Sequence, residues 1–245
     1  MQRYFVEPAL FTEHEVTITG DDVHHIVTVM RSEIGEEMIV CDGLGRVAIA
    51  RLSQLSAKEV KAQVIAALDE EKELPIRVTI AQGLPKGDKM EWILQKGTEL
   101  GACAFLPFFS ERTIVKLDAK KEGKKLERWA KIVKEAAEQS HRTRLPQVLA
   151  PLSFKQAVNE AAGFTRAVIA YEKEHGSSLH RVLDTLSPQD SLLILIGPEG
   201  GFSEAEVALA ESRGILPAGL GPRILRTETA SQYALSAISY HFERK

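Results

Sequence analysis

The chain is short of cysteine, of long apolar runs and of net charge, and each shortage removes a class of protein. Two cysteines in 245 residues, Cys41 and Cys103, lie far apart among apolar or small neighbours. They support neither a disulfide framework nor a zinc site, so a reduced, cytoplasmic chain is expected. No apolar run approaches the ~20 residues that a membrane helix needs. The opening Met1-Gln2-Arg3-Tyr4-Phe5 has neither a basic n-region nor an apolar h-region, so no signal peptide is expected. Seven histidines are present, but none pairs with a cysteine or carboxylate at ligand spacing, and no metal is expected. What remains is ordinary globular composition, 44% hydrophobic and 27% charged, at a length that allows one large domain or two unequal ones.

The net charge of −3 argues at first against a nucleic-acid partner. Its distribution argues the other way. Between Arg112 and Arg144 stand eleven Lys or Arg against five Asp or Glu, a balance of +6 that leaves the rest of the chain at −9. A phosphate backbone responds to the local field, so this segment is a candidate RNA-facing surface. A solvated helix face is the alternative for Lys120 to Lys134.

The chain reads as two parts. From Tyr4 to Leu68 the runs are short and strand-like. Met38–Cys41 and Val47–Ala50 flank a Gly-containing loop, as in a β-hairpin, and Val60–Leu68 extends the sheet. A helix from Asp21 to Met30, capped by Asp21 or Asp22, interrupts it. The expectation is a small β-barrel with a helical insert over residues 1–72, closed by an acidic linker, Asp69–Glu73, before Pro75. From residue 73 to 245 buried strands alternate with helices. Strands are expected at Ile76–Ala81, Ala104–Phe108, Val168–Tyr171, Leu192–Ile196 and Ile215–Leu220. Helices are expected at Asp88–Leu100 and Leu126–Gln139. Such alternation predicts an α/β domain with a mainly parallel sheet.

Two segments carry chemistry. In Leu195-Ile196-Gly197-Pro198-Glu199-Gly200-Gly201-Phe202-Ser203 a buried strand runs into a Gly-rich turn, and a helix starts at once. Ser203 and Glu206 form a capping box, and Phe202 with Val207 a hydrophobic staple. The glycines permit close approach to a ligand at the carboxyl end of a strand. No Lys-Ser/Thr follows, so this is not a P-loop, nor is it G-x-G-x-x-G. Pro198 lacks a donor and Glu199 is negative, which disfavours a triphosphate. A cationic ligand, or one offering hydroxyls, suits the turn better, and S-adenosylmethionine (SAM) offers both a sulfonium and a ribose. The second segment is Leu220-Gly221-Pro222-Arg223-Ile224-Leu225-Arg226-Thr227-Glu228-Thr229-Ala230. Thr227 can cap the helix through Ala234, Ala237 and Ile238, with Glu228 against its dipole. Arg223 and Arg226 are placed either to hold a phosphate or base, or simply to be solvated.

These two loops resemble the signatures of the RsmE family, in the SPOUT superfamily of methyltransferases. Further matching stretches are His24-His25-Ile26 through Val29-Met30-Arg31, Lys86-Gly87-Asp88-Lys89-Met90-Glu91, Gln95-Lys96-Gly97-Thr98-Glu99-Leu100-Gly101, and Glu138-Gln139-Ser140 with Arg142. The resemblance thus spans nearly the whole chain in order. It implies a PUA-like β-barrel followed by a SPOUT domain with a deep trefoil knot, and a homodimer. It implies SAM held by Tyr171, Leu195, Ile196, Gly197, Pro198, Glu199, Gly200, Leu220, Gly221, Ile224, Leu225, Arg226, Thr229 and Ala230. The implied product is N3-methyluridine in small-subunit (16S) ribosomal RNA. Uracil N3 must lose a proton to become nucleophilic, and Glu228 is the candidate base, with Arg226 the candidate support for the anion. Arg31, Arg142 and Arg144 are candidates to grip the RNA backbone. The rivals are a relative that methylates a ribose or another base, and a non-catalytic RNA-binding protein.

Overall fold

The computed structural model describes residues 1–115, 119–174 and 177–243, without the side chains of 119–121. Lys116, and the side chains of Lys120 and Lys121 in the basic segment, therefore lie outside the described residues. The chain divides into two compact units, Met1–Glu73 with Ala137–Leu145, and Leu74–Ala136 with Pro146–Lys245.

The first unit is a curled five-stranded sheet. Its strands are β1 (Arg3–Phe5), β2 (Glu15–Thr19), β3 (Glu37–Cys41), β4 (Val47–Leu55) and β5 (Glu59–Leu68), in the order β1-β3-β4-β5-β2. β1 runs parallel to β3 and every other pairing is antiparallel. The expected hairpin is β3–β4, with Val40 opposite Ala48. Asp42 Oδ1 accepts from the N–H groups of Leu44 (2.7 Å) and Arg46 (3.0 Å), which closes its loop. Register shifts in β4 after Ile49 and Leu52 bend the sheet around a core that includes Val16, Ile18, Ile26, Val40, Leu52 and Val60. The expected helix is a short α1 (Asp21–His24) that widens into a π-turn, His25–Val29. Neither aspartate caps it. Gly20, at φ 73°, is the capping residue and offers no side chain.

The acidic run read as a linker is folded into this unit. Arg3, 4% exposed, holds Glu70 at 2.7 Å. Arg142, 2% exposed, grips Glu73 through Nη2 and through Nε at 3.1 Å. Glu73 also accepts from the N–H groups of Thr143 and Arg144, both at 3.0 Å. These contacts explain why residues 137–145 join the first unit.

The second unit carries β6 (Arg77–Gly83), α2 (Lys89–Glu99), β7 (Ala104–Phe109), α3 (Ala119–Gln139), the short β8 (Gln147–Val148) and β9 (Leu152–Ser153), and α4 (Phe154–Asn159). It continues with β10 (Arg166–Ala170), α5 (Leu179–Leu183), β11 (Ser191–Ile196), α6 (Glu204–Glu211), β12 (Leu216–Ala218) and α7 (Thr227–Phe242). The sheet order is β12-β10-β11-β6-β7-β8, all parallel, with β9 also on β7. β11 lies between β10 and β6 and is buried at every position, as its unbroken apolar run predicts. Helices cover both faces. Ala230, Ala234, Leu235 and Ile238 of α7 join one core with Ile80, Leu94 and Phe105, while Phe154 and Val207 join the other with Leu106 and Leu195. α3 starts seven residues earlier than its apolar periodicity indicates, because Ala119–Lys125 contains no apolar stripe to mark it.

Burial pushes the Glu73 carboxyl up, but the bonds and charge of Arg142 and the two N–H groups outweigh it and hold Glu73 below its ordinary value of 4.5. A depressed carboxylate stabilises the fold above its unfolded value and loses that contribution as pH falls through the folded one. Stability should therefore decline below about pH 4.5. Glu73→Gln removes the charged partner that Arg142 grips through Nη2 and Nε, and should cost about 3 kcal/mol near neutrality. Urea unfolding at pH 7 and pH 4 checks this, with the variant expected to show the smaller loss between the two.

Candidate active site

At the carboxyl ends of β10, β11 and β12 three loops converge on a cavity of about 510 Å³, within the range of small-ligand sites. It is lined by Ala170–Glu172 after β10, Ile196–Phe202 after β11, and Gly219–Thr227 after β12, with Lys89 from α2 and Ala230 from α7. The two loops singled out in the sequence thus form one site.

The β11 loop is shaped by its glycines and its anchor. A Cβ on Gly197 would stand 3.1 Å from the Gly201 backbone, and Gly201 itself is at φ +65°, where a side chain is strained. Beyond the turn Phe202 is buried, stacking on Phe108 with centroids 6.1 Å apart and leaning on Phe154 at 5.6 Å. The capping box forms as expected, Ser203 accepting from Glu206 N while Glu206 accepts from Ser203 N at 2.9 Å. Glu206 reaches further than a cap, because its carboxylate also accepts from Glu111 N at 2.9 Å and Ser110 Oγ at 3.2 Å. Arg112 Nη1 donates to Gly200 O at 2.7 Å, so the segment after β7 props the turn from outside.

Thr227 does not cap α7. Arg226, in extended conformation, is the capping residue and makes no side-chain bond to the helix. Thr227 is buried, and its hydroxyl donates to Gly197 O at 2.6 Å and accepts from Gln82 Nε2 at 2.8 Å. A buried hydroxyl goes where desolvated partners need it, and the end of β6 and the start of the β11 loop supply both.

The charges around the cavity fall in two groups. Glu199 accepts from Lys89 Nζ at 2.9 Å and from Lys86 N at 3.1 Å. Burial raises its carboxyl, but these bonds and its own N–H hold it below the ordinary value. The same hydrogen bond raises Lys89. Lys89 Nζ also lies 3.7 Å from Glu228 Oε2, a buried oxygen with no hydrogen-bond partner among the described residues. The second group, Arg223 and Arg226, is exposed in the β12 loop beside Ile224, whose side chain is 88% exposed.

Every expected cofactor residue lines the cavity except two. Leu195 is fully buried in the core behind the turn, and Thr229 is exposed on α7 away from the lining. Glu228 is not in the lining but adjoins it through Lys89. Sequence reasoning missed Lys89, Glu172 and Thr227 as cavity residues, since only the fold brings them to the turn. In the first unit, Arg31 is exposed at φ 54° and Arg144 is exposed with its guanidinium 3.3 Å from where a Gly45 Cβ would stand. Arg142 corrects the expectation. Its charge is buried against Glu73, so it cannot grip RNA without breaking that pair.

A family described as RNA methyltransferase domain matches residues 72–239, and one described as RNA methyltransferase PUA domain matches residues 18–65. Fold and site together define an RNA methyltransferase. Over 253 residues the chain is 50% identical to the ribosomal RNA small subunit methyltransferase E of Bacillus subtilis, covering 99% of this chain and 98% of that one. It is 40% identical to the same enzyme of Synechocystis, covering 97% and 77%. The crystal structure of that enzyme from Neisseria gonorrhoeae, bound to S-adenosyl methionine, superposes with a TM-score of 0.86 at 32% identity over 98% of this chain and 97% of the other. The chain belongs to the ribosomal RNA small subunit methyltransferase E family.

Thr227→Val removes the bridging hydroxyl and leaves Gln82 Nε2 with Gly83 O at 3.0 Å and longer contacts to Ile196 O and Gly197 O. It should lower stability by about 1 kcal/mol, read as a lower urea midpoint at unchanged slope. Thr227→Ser should stay close to the parent. An unshifted midpoint for the valine variant would show that the bridge contributes nothing.

Proposed function

We propose that this chain transfers a methyl group from SAM to N3 of a uridine in small-subunit (16S) ribosomal RNA. The reading rests on one juxtaposition: a cavity built from two Gly-containing loops and, beside it, a Glu228 carboxylate oxygen that has no hydrogen-bond partner among the described residues. The residues present suit the cofactor. Glu172 and Glu199 put carboxylates into a lining that also holds Lys89, Arg223 and Arg226, so a sulfonium finds partners of opposite charge there. The β11 and β12 loops bring main chain close enough to hold a nucleoside, and Ile196, Leu220 and Leu225 offer apolar surface. SAM bound there would supply an electrophilic methyl group.

The chain's own residues do the rest. Glu228 takes the proton from uracil N3, and Arg226 stabilises the charge that spreads onto the uracil oxygens. Lys89, between Glu199 and Glu228, holds both carboxylates in place. Residues 73–245 supply this site, and residues 1–72 hold RNA through Arg31, with Arg144 adding to that grip. The deep trefoil knot, the homodimer and the cytoplasmic location implied by the RsmE resemblance belong to the same proposal. No helix among the described residues is long and apolar enough to cross a membrane.

Labelled SAM and small subunits lacking native modification, followed by nucleoside mass spectrometry, test the reading. N3-methyluridine is expected. A methylated ribose or another base would move the chain to a different specificity, and failure to bind SAM would overturn the enzyme reading. Glu228→Gln should lower kcat about 10²–10⁴-fold with SAM affinity unchanged. Near-parental turnover would remove Glu228 as the base. Arg144→Ala should weaken RNA binding and lower its salt slope by about one unit without touching SAM affinity.

A further inference from the structure

The end of the C-terminal helix carries a set of donors that methyl transfer does not use. His180 and Asp184 stand one helical turn apart on and just beyond α5, and His241 lies in the last turn of α7. His180 Nε2 is 3.5 Å from Asp184 Oδ2, and His241 Nε2 is 4.0 Å from Asp184 Oδ1. One donor atom from each residue can be chosen so that all three lie within 4.8 Å of one another. These separations are too long for good hydrogen bonds. An ion shared by the three residues would draw these atoms together, since tetrahedral zinc with bonds of about 2.0–2.1 Å sets its ligand atoms roughly 3.3 Å apart. The imidazoles of His180 and His241 meet edge to face at 6.0 Å, and the His241 ring is steadied against Phe242 at 4.7 Å.

We propose that His180, Asp184 and His241 form a binding site for a divalent transition metal, zinc by ligand type. Two imidazoles and a carboxylate suit zinc rather than magnesium or calcium, which prefer all-oxygen shells. All three residues retain exposure, so water completes the coordination. The site is structural. His241 lies thirteen positions after Glu228 on α7, which is about 20 Å of helix. The ion would pin the last turn of α7 to α5, whose Leu179, Val182 and Leu183 already share a core with Ala234, Leu235 and Ile238. Sequence reading passed over the set because no helix was expected at Leu179–Leu183 to put His180 and Asp184 on one turn, and His241 comes from a separate helix.

The test uses the untagged full chain, freed of metal, with zinc chloride followed by calorimetry and thermal unfolding. One equivalent should bind, and a hundredfold excess over the dissociation constant should raise Tm by about 5 °C or more, while magnesium does nothing. Asp184→Asn preserves shape and should weaken zinc at least about tenfold, as should His241→Ala. Methyl transfer at temperatures well below unfolding should not depend on zinc. No saturable zinc binding, or binding of equal strength in both variants, overturns the proposal.

Discussion

One buried hydroxyl ties the active end of the second unit together. Thr227 stands where β6, the β11 loop and α7 meet, donating to Gly197 O and accepting from Gln82 Nε2. Gln82 is completely buried at the end of β6, so its amide has no recourse to water. The bridge fixes the position from which α7 starts, and therefore where Glu228, one residue on, and Arg226, one residue back, stand relative to the Gly-rich turn. The turn is held independently from its far side by Glu206 and Arg112. A cavity between two loops keeps its shape only if both are anchored to the same scaffold, and these contacts do that with few residues.

Charge is divided between the units in a way that composition hides. Within the first unit, two of its most buried cations, Arg3 and Arg142, neutralise the acidic stretch before Leu74. They hold structure together and leave Arg31 and Arg144 exposed. Within the second unit the cavity wall mixes Glu172 and Glu199 with Lys89, Arg223 and Arg226, and Lys89 is bonded to Glu199. A basic segment counted along the chain therefore overstates the positive surface, because some of its charge is already committed.

What was legible in the sequence was local. The capping box at Ser203 and Glu206 lies within four residues, and the unbroken run of β11 reports burial on both faces, so both could be read directly. The hairpin around Asp42 and Gly43 carries its own turn signal. What was illegible was set by distant partners. Thr227 reads as a helix cap, and only Gln82 and Gly197 divert its hydroxyl. Arg142 reads as a cation placed to grip RNA until Glu73 is brought beside it. α4 went unread although Ser153 and Gln156 form a second capping box, because its six residues are too few to establish a period. The RsmE resemblance reached the cavity lining where physical pattern alone reached only the two turns.

The strand order also governs when the site comes into being. β11 inserts between β10 and β6, so the central strand pairs with a segment made more than a hundred residues before it. Gln82 then waits for Thr227, which is made 145 residues later. A nascent chain can complete the curled sheet of Met1–Leu68 early, but its cofactor cavity gains its third wall, Gly219–Thr227, only once the loop after β12 is made. Any chain stopped short of the loop after β12 is thus left without the third wall, and a partly made product has no means of consuming the methyl donor.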